Sequence, residues 1–355
     1  MVYPQIARFL AAVYRYLSGR GGFLYAKIMG MDAMLPYFRV LPFADILFTD
    51  FFGISAAYRQ RTYKSRGGAS VREKTRNKGE KMIKVIPLVE NTTSDKNMKY
   101  RHGLCLYIET ARHKLLFDVG PNGAFLENAA RLGIDIRQVG AVFLSHGHKD
   151  HVGGLKAFLA VNKTARIYMR KTAAEPHYIK VLGIPISVSA DKSLISGERF
   201  VFTDEITEID EELTVFSDVK PIFPLPSSDK KLFMKRGGKI IPDDFGHEQS
   251  LIVTAGGEKF LFCGCSHAGI VNIRNKADEV AGGEISAVFG GFHLYNPPSG
   301  KYESADYIAK TAAALAKTPS DYYTCHCTGE QAFEQMKPIL GGKLHYFRTG
   351  SRFER

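Results

Sequence analysis

The stretch Leu144-Ser145-His146-Gly147-His148-Lys149-Asp150-His151-Val152-Gly153-Gly154 constrains this chain more than any other. Three histidines and an aspartate fall within six positions, just after the apolar run Ala141-Val142-Phe143-Leu144. A short apolar run that ends in Ser and Gly reads as a buried strand passing into a loop. Four metal-capable side chains at a strand end are expensive to bury unless something binds them. Imidazole and carboxylate suit zinc, iron or manganese. From an extended loop His146 and His148 can point the same way, while Asp150 and His151 sit where the chain turns into a helix. That arrangement can serve two adjacent metals.

The bulk numbers describe a globular protein of one large domain or two ordinary ones: 355 residues, 45% hydrophobic and 24% charged. The net charge of +12 is unevenly spread, because residues 1–84 hold 15 Lys/Arg against 5 Asp/Glu and the remainder is close to neutral. Four of the five cysteines form two tight pairs, Cys263/Cys265 and Cys325/Cys327. Neighbours one residue apart are poorly placed to bridge each other, which favours reduced thiols near a metal and a cytoplasmic setting. No secretory signal is visible. Arg8, Arg15 and Arg20 break up the early apolar pieces, and none approaches the roughly 20 apolar residues that span a bilayer.

Residues 1–65 read as amphipathic helices rich in Phe, Tyr, Leu and Arg, and residues 66–84 as a basic, Gly-bearing linker. From Val85 strands and helices mix. Strands are expected at 85–89, 104–108, 114–117, 139–144, 250–254, 259–263, 286–289, 322–325 and 345–347. Helices are expected at 125–132, 154–161, 270–280, 305–316 and 331–340.

The pattern His-x-His-x-Asp-His followed by Gly-Gly, with every position filled, resembles the signature of the metallo-β-lactamase fold superfamily. The resemblance implies an α+β fold, a four-layered αβ/βα sandwich over residues 85–355, carrying an extra N-terminal helical segment. It implies two divalent metal ions, zinc first and iron or manganese as alternatives, held by His146, His148, Asp150 and His151. It makes His267 the third histidine ligand and His326 the last, from a strand end near the C-terminus. Asp118, in Phe117-Asp118-Val119-Gly120, becomes the group that orients a ligand histidine. Cys265 stands in Gly264-Cys265 where many members carry Gly-Asp, so either the second metal is altered or a thiolate ligates it. His247 and His293 are contenders for ligation, and His293 also for the proton donor to a leaving group. Lys149 reads as a phosphate or carboxylate contact, or equally as a solvated loop lysine.

The later motifs Gly264-Cys265-Ser266-His267, Gly290-Gly291-Phe292-His293-Leu294 and His326-Cys327-Thr328-Gly329 resemble one subgroup, that of the archaeal dihydropterin–ribofuranosylaminobenzene phosphate synthases. The leading expectation is a metal-dependent hydrolase of a small ester, lactone or phosphorylated metabolite, working through a metal-activated hydroxide with Asp150 fixing the nucleophile. The alternatives are a pterin-type transferase with a pyrophosphate leaving group and a non-catalytic metal-bound ligand sensor. The expected partner is a small-molecule substrate. Residues 1–84 are expected to mediate self-association or peripheral contact with an anionic membrane surface. The near-neutral remainder argues against nucleic acid.

Overall fold

The computed structural model describes residues 83–181 and 183–355. The helical segment expected over 1–65 lies outside them, as does the linker expected over 66–84 apart from its last two residues. Those two, Ile83 and Lys84, open the first strand.

Strands β1 (Ile83–Val89), β2 (Cys105–Thr110), β3 (Lys114–Phe117), β4 (Ala141–Phe143) and β5 (Arg166–Met169) form one sheet with β8 (Phe200–Phe202) and β20 (Phe353–Glu354). Its seven strands run in the order β20-β1-β2-β3-β4-β5-β8. A second seven-stranded sheet combines β9 (Ile206–Glu208), β10 (Leu213–Ser217), β13 (Gln249–Ala255), β14 (Glu258–Phe262), β15 (Ala287–Gly290), β18 (Asp321–Thr324) and β19 (Leu344–Tyr346). A small sheet of β6 (His177–Val181), β7 (Ile184–Ser187), β11 (Leu232–Arg236) and β12 (Lys239–Pro242) comes from the chain between the two, and β16 (Tyr295–Asn296) pairs with β17 (Lys301–Tyr302). The helices are α1 (Ala124–Arg131), α2 (Lys149–Val152), α3 (Leu155–Val161), α4 (Ile270–Ala281), α5 (Ala305–Ala316) and α6 (Glu330–Leu340).

Side-chain alternation explains the layering. Successive residues of a strand face opposite sides, so a strand apolar throughout feeds two cores. In β3, Leu115 and Phe117 enter the core between the sheets while Leu116 packs outward towards α1 and α3. In β14, Phe260 and Phe262 face the inter-sheet core and Leu261 faces α4 and its neighbours. Phe125 of α1 and Phe158 of α3 cover the first sheet, and Ile273, Ile308 and Met336 of α4, α5 and α6 cover the second. The result is helix, sheet, sheet, helix, as the αβ/βα expectation required.

Strands β3, β4, β5 and β8 are mutually parallel, and so are β14, β15, β18 and β19. Their carboxyl ends emerge along one edge of the sandwich, the usual place for a site in parallel sheets. The expected strands and helices are found with ends shifted by up to two or three residues. The small sheet and the strands β5, β8, β9 and β10 were not anticipated. The small sheet's strands are half-exposed and carry Pro or Lys, and β5, β8, β9 and β10 are only three to five residues long, so the two-residue period is weak.

Gln249, first residue of β13, joins the sheets beside this edge. Its backbone N–H donates to Ser145 O (2.7 Å), and its side-chain amide donates to Leu144 O (2.8 Å) and Tyr168 O (3.1 Å). No helix among the described residues is long and apolar enough to cross a membrane.

Candidate metal centre

The motif lies at the end of β4. His148 is extended and precedes α2, whose first residues are Lys149, Asp150 and His151, so the loop-to-helix change expected at Asp150 is present. Opposite, the chain after β14 carries Cys265 and His267, the chain after β15 carries His293, and the chain after β18 carries His326. Four non-glycine residues around the centre adopt positive φ: Asp118 (61°), Ser266 (63°), His293 (51°) and His326 (52°). Left-handed backbone at such residues costs energy and concentrates at functional sites.

Of the five groups of metal-capable atoms among the described residues, two gather around the motif. His146, His148 and His267 bring their ligand atoms within 4.8 Å of one another, and so do Asp150, His151, Cys265 and His326. In the first group the Nε2 atoms of all three histidines are buried and have no hydrogen-bond partner. Buried polar atoms are ordinarily satisfied, and three converging partnerless imidazole nitrogens suit a cation. In the second group His151 Nε2 lies 3.2 Å from both Cys265 Sγ and His326 Nε2, and His326 Nε2 lies 3.3 Å from Asp150 Oδ2. Such close approach of donors suits ligands around one ion. The donor set of imidazole, carboxylate and thiolate fits zinc and ferrous iron and excludes magnesium or calcium as the preferred ion.

The opposite ring nitrogens are held in place, as metal-bound histidines require. His151 Nδ1 pairs with Asp118 Oδ2 (2.6 Å), the contact through which Asp118 would orient a ligand histidine. The same carboxylate accepts from Ser145 N and Ser145 Oγ, both at 2.7 Å, and Ser145 Oγ lies 2.8 Å from His146 Nδ1. Three partners escaped the sequence reading. Asp229 lies 2.8 Å from His267 Nδ1, Asn91 Oδ1 lies 2.8 Å from His326 Nδ1, and Glu90 accepts from the His326 backbone N–H. None of the three sits in a recognisable motif, because each reaches the site from a loop placed by tertiary packing. Glu248, next to the expected His247, accepts from the backbone N–H groups of His267 and Ala268 and fixes that turn.

His247 joins His148, His177 and Asp243 in a further buried group whose ligand atoms lie within 4.8 Å of one another. The backbone N–H of Gly147 donates to His247 Nδ1 (3.0 Å), which occupies that lone pair. A neutral His247 then carries its ring proton on Nε2, 3.3 Å from Asp243 Oδ1. Asp243 also pairs with His177 Nδ1 at 2.8 Å. The small sheet thus delivers His177 and Asp243 to brace the motif loop from behind. Lys149 has no polar side-chain partner among those described, and its backbone N–H donates to Val188 O.

Electrostatics favour the metal-ready form of the first group. Burial, then the neighbouring imidazoles, pushes the pKa values of His146 and His267 well down, and burial with His247 does the same to His148. All three are therefore neutral, the form a cation needs. Burial lowers His151 too, but Asp118 and Asp150 together outweigh it and raise its pKa to about 9. Burial alone would raise Asp150; His151, His102 and His326 overcome it and hold the carboxylate well below its usual range. Burial raises Asp229 to about 8. Burial lowers His293, while Asp229 and Cys327 carry it up to about 9.

A Cβ on Gly264 would lie 2.2 Å from Ser145 Oγ and 3.0 Å from His146 Nδ1. Gly264→Ala should therefore displace His146, cost about 1–3 kcal/mol of stability and weaken metal retention; an unchanged unfolding midpoint with unchanged metal content would refute this. Because burial holds the three imidazoles neutral below the ordinary value of 6.5, protons compete with the metal only in more acidic solution. The first group's metal, followed as the part of the metal content that His148→Ala lacks, should stay bound at pH 6.5 through dialysis at stepped pH, and its half-release at or above that pH would count against the arrangement.

The comparisons agree with this architecture. A family model described as the metallo-beta-lactamase superfamily matches residues 99–311. The solved structure of Tm1679, a metal-dependent hydrolase of the beta-lactamase superfamily, is similar at 30% identity and TM-score 0.66, covering 77% of this chain and 99% of that one. An uncharacterized protein of Methanocaldococcus jannaschii is 27% identical over 73% of this chain and 94% of its own length. From the same organism, 7,8-dihydropterin-6-methyl-4-(beta-D-ribofuranosyl)-aminobenzene-5'-phosphate synthase is 26% identical over 75% of this chain and 97% of its own length. With its two sheets, its edge of parallel strand ends and its match over most of the described residues, the chain belongs to the metallo-beta-lactamase superfamily.

Proposed function

We propose that this chain is a metal-dependent hydrolase acting on a small ester, lactone or phosphorylated metabolite. The observation that carries the reading is the trio of buried, partnerless Nε2 atoms of His146, His148 and His267 beside the Asp150, His151, Cys265 and His326 group. The superfamily is mostly metal-dependent hydrolases and typically binds divalent metals. In this reading each group holds one cation, zinc being the ion that suits both donor sets. When bound, the cations supply Lewis acidity towards a carbonyl or phosphoryl oxygen.

The chain's own residues do the rest. Asp118, Ser145, Asp229 and Asn91 fix the rings, so the donors need not reorganise during reaction. Asp150, 23% exposed, is the ligand closest to solvent, and it sets the direction from which substrate arrives. His102 is 45% exposed with Nε2 3.2 Å from Asp150 Oδ2. It faces solvent and can pass its Nε2 proton to a leaving group. His293, the residue the sequence suggested for this, is only 7% exposed and enclosed by Cys327 and Asp229. His102→Ala should lower turnover by roughly 10²–10⁴-fold at unchanged metal content, and full activity in that variant would remove His102 from the reaction.

A second reading is favoured by the synthase of Methanocaldococcus jannaschii, whose length is almost wholly matched. Here the reaction is a transfer with pyrophosphate leaving, and no water is consumed. Metal-loaded protein screened against esters, lactones, phosphodiesters and a dihydropterin pyrophosphate separates the two. Hydrolysis of any of the first three supports the hydrolase, and pyrophosphate release alone selects the transferase. Inertness towards all four would leave a metal-bound ligand sensor. We assign the protein to the cytoplasm, with residues 1–84 serving self-association or contact with an anionic membrane. Equal sedimentation with anionic vesicles before and after their removal would rule out the membrane role.

A further inference from the structure

Next to the two groups lies a third set of donors that neither uses. Cys265, His293 and Cys327 are all buried and bring their ligand atoms within 4.8 Å of one another. His293 and Cys327 belong to neither cation group of the hydrolase reading. The space is shaped for Cys327: a Cβ on Gly291 would lie 2.4 Å from its Sγ, so a residue larger than glycine would push the sulfur out. The backbone N–H of His293 donates to Cys327 Sγ at 3.3 Å, with His293 at positive φ. None of the cysteines is in a disulfide.

The histidine is the second, independent sign. His293 is 7% exposed, and neither ring nitrogen has a hydrogen-bond partner. Its Nε2 faces Asp229 Oδ1 at 3.2 Å. A carboxylate that orients one nitrogen while the other carries a cation is the usual partnership of a metal-bound imidazole. Two sulfurs and one imidazole select a soft or borderline ion, zinc above all, and give magnesium and calcium nothing to bind.

We propose that Cys265, His293 and Cys327 form a third, sulfur-rich cation site for a zinc-class ion, sharing the Cys265 sulfur with the second group. Binding forms metal–sulfur and metal–nitrogen bonds and releases the thiol protons to solvent. His293 is then a ligand and not a proton donor.

The test is metal stoichiometry of the full chain, loaded with zinc and desalted, for wild type, Cys327→Ser, His293→Gln and His148→Ala. Wild type should hold about three equivalents and both Cys327→Ser and His293→Gln about two. Cobalt substitution should give wild type a near-ultraviolet sulfur-to-cobalt band that weakens in Cys327→Ser and persists in His148→Ala. About two equivalents in wild type, lowered in His148→Ala, would overturn the third site and leave the two-cation reading standing. No zinc in wild type would overturn both. A Cys265–Cys327 disulfide in freshly purified reduced protein would overturn the third site, as would a cobalt band unchanged in Cys327→Ser. His293→Gln and the wild-type count decide the matter if Cys327→Ser does not fold.

Discussion

His148→Ala protein should come off purification largely stripped of metal at the first group. A four-ligand zinc site is worth roughly 10–16 kcal/mol at neutral pH, so one ligand of three or four carries about 3–4 kcal/mol, or on the order of 10²–10³-fold in affinity. His146 Nε2 and His267 Nε2 would remain buried without partners. Turnover should fall at least as far, because the Lewis acid leaves with the metal. Elemental analysis beside activity on whichever substrate the screen identifies checks both. Wild-type metal content in the variant would mean that His148 is not a ligand and that the orphaned nitrogens need another explanation.

Asp118→Ala should be the most destabilising single change near the site. The carboxylate is fully buried, and it satisfies Ser145 N, Ser145 Oγ and His151 Nδ1 together. Removing one partner of a buried pair costs about 3–5 kcal/mol, since the other is left buried without it. The protein without metal should show that loss in urea unfolding. Asp118→Asn keeps the shape and one acceptor, so it should retain most of the stability while lowering metal affinity roughly 10–100-fold. The two variants thus separate the structural role from the orienting role. An alanine variant that unfolds at the wild-type midpoint would sink the account.

The legible part of the site is the part written in one stretch. His146, His148, Asp150 and His151 are neighbours in sequence, and their convergence needs only a strand, an extended loop and a helix start. His267 and His326 were readable because each follows an apolar run and precedes a helix. The partners that hold these rings were not. Asp229 sits in the polar run Ser227-Ser228-Asp229-Lys230-Lys231, which reads as a solvated loop, yet it lies against His267 and His293. Asn91 and Glu90 reach His326 across 235 and 236 residues. His247 was readable as a contender, but its contacts with Gly147 N–H and Asp243 were not. Such pairings depend on how the two sheets are laid together, and no local period encodes that.

That division of labour has a kinetic side. Each group draws ligands from both halves of the chain, with His151 separated from Cys265 by 114 residues and from His326 by 175. A bound ion is therefore a cross-link between distant segments, and releasing it requires the sheet edges to part. Metal exchange should then be slow and should follow the rate of global opening, not the much faster loss expected of ligands carried on one hairpin. The newly made chain faces the reverse: its histidine-rich loop is complete long before the last ligands exist, so loading waits for the second sheet to dock. A cell starved of metal would hold a folded precursor, and the ion would extend its lifetime as well as its equilibrium stability.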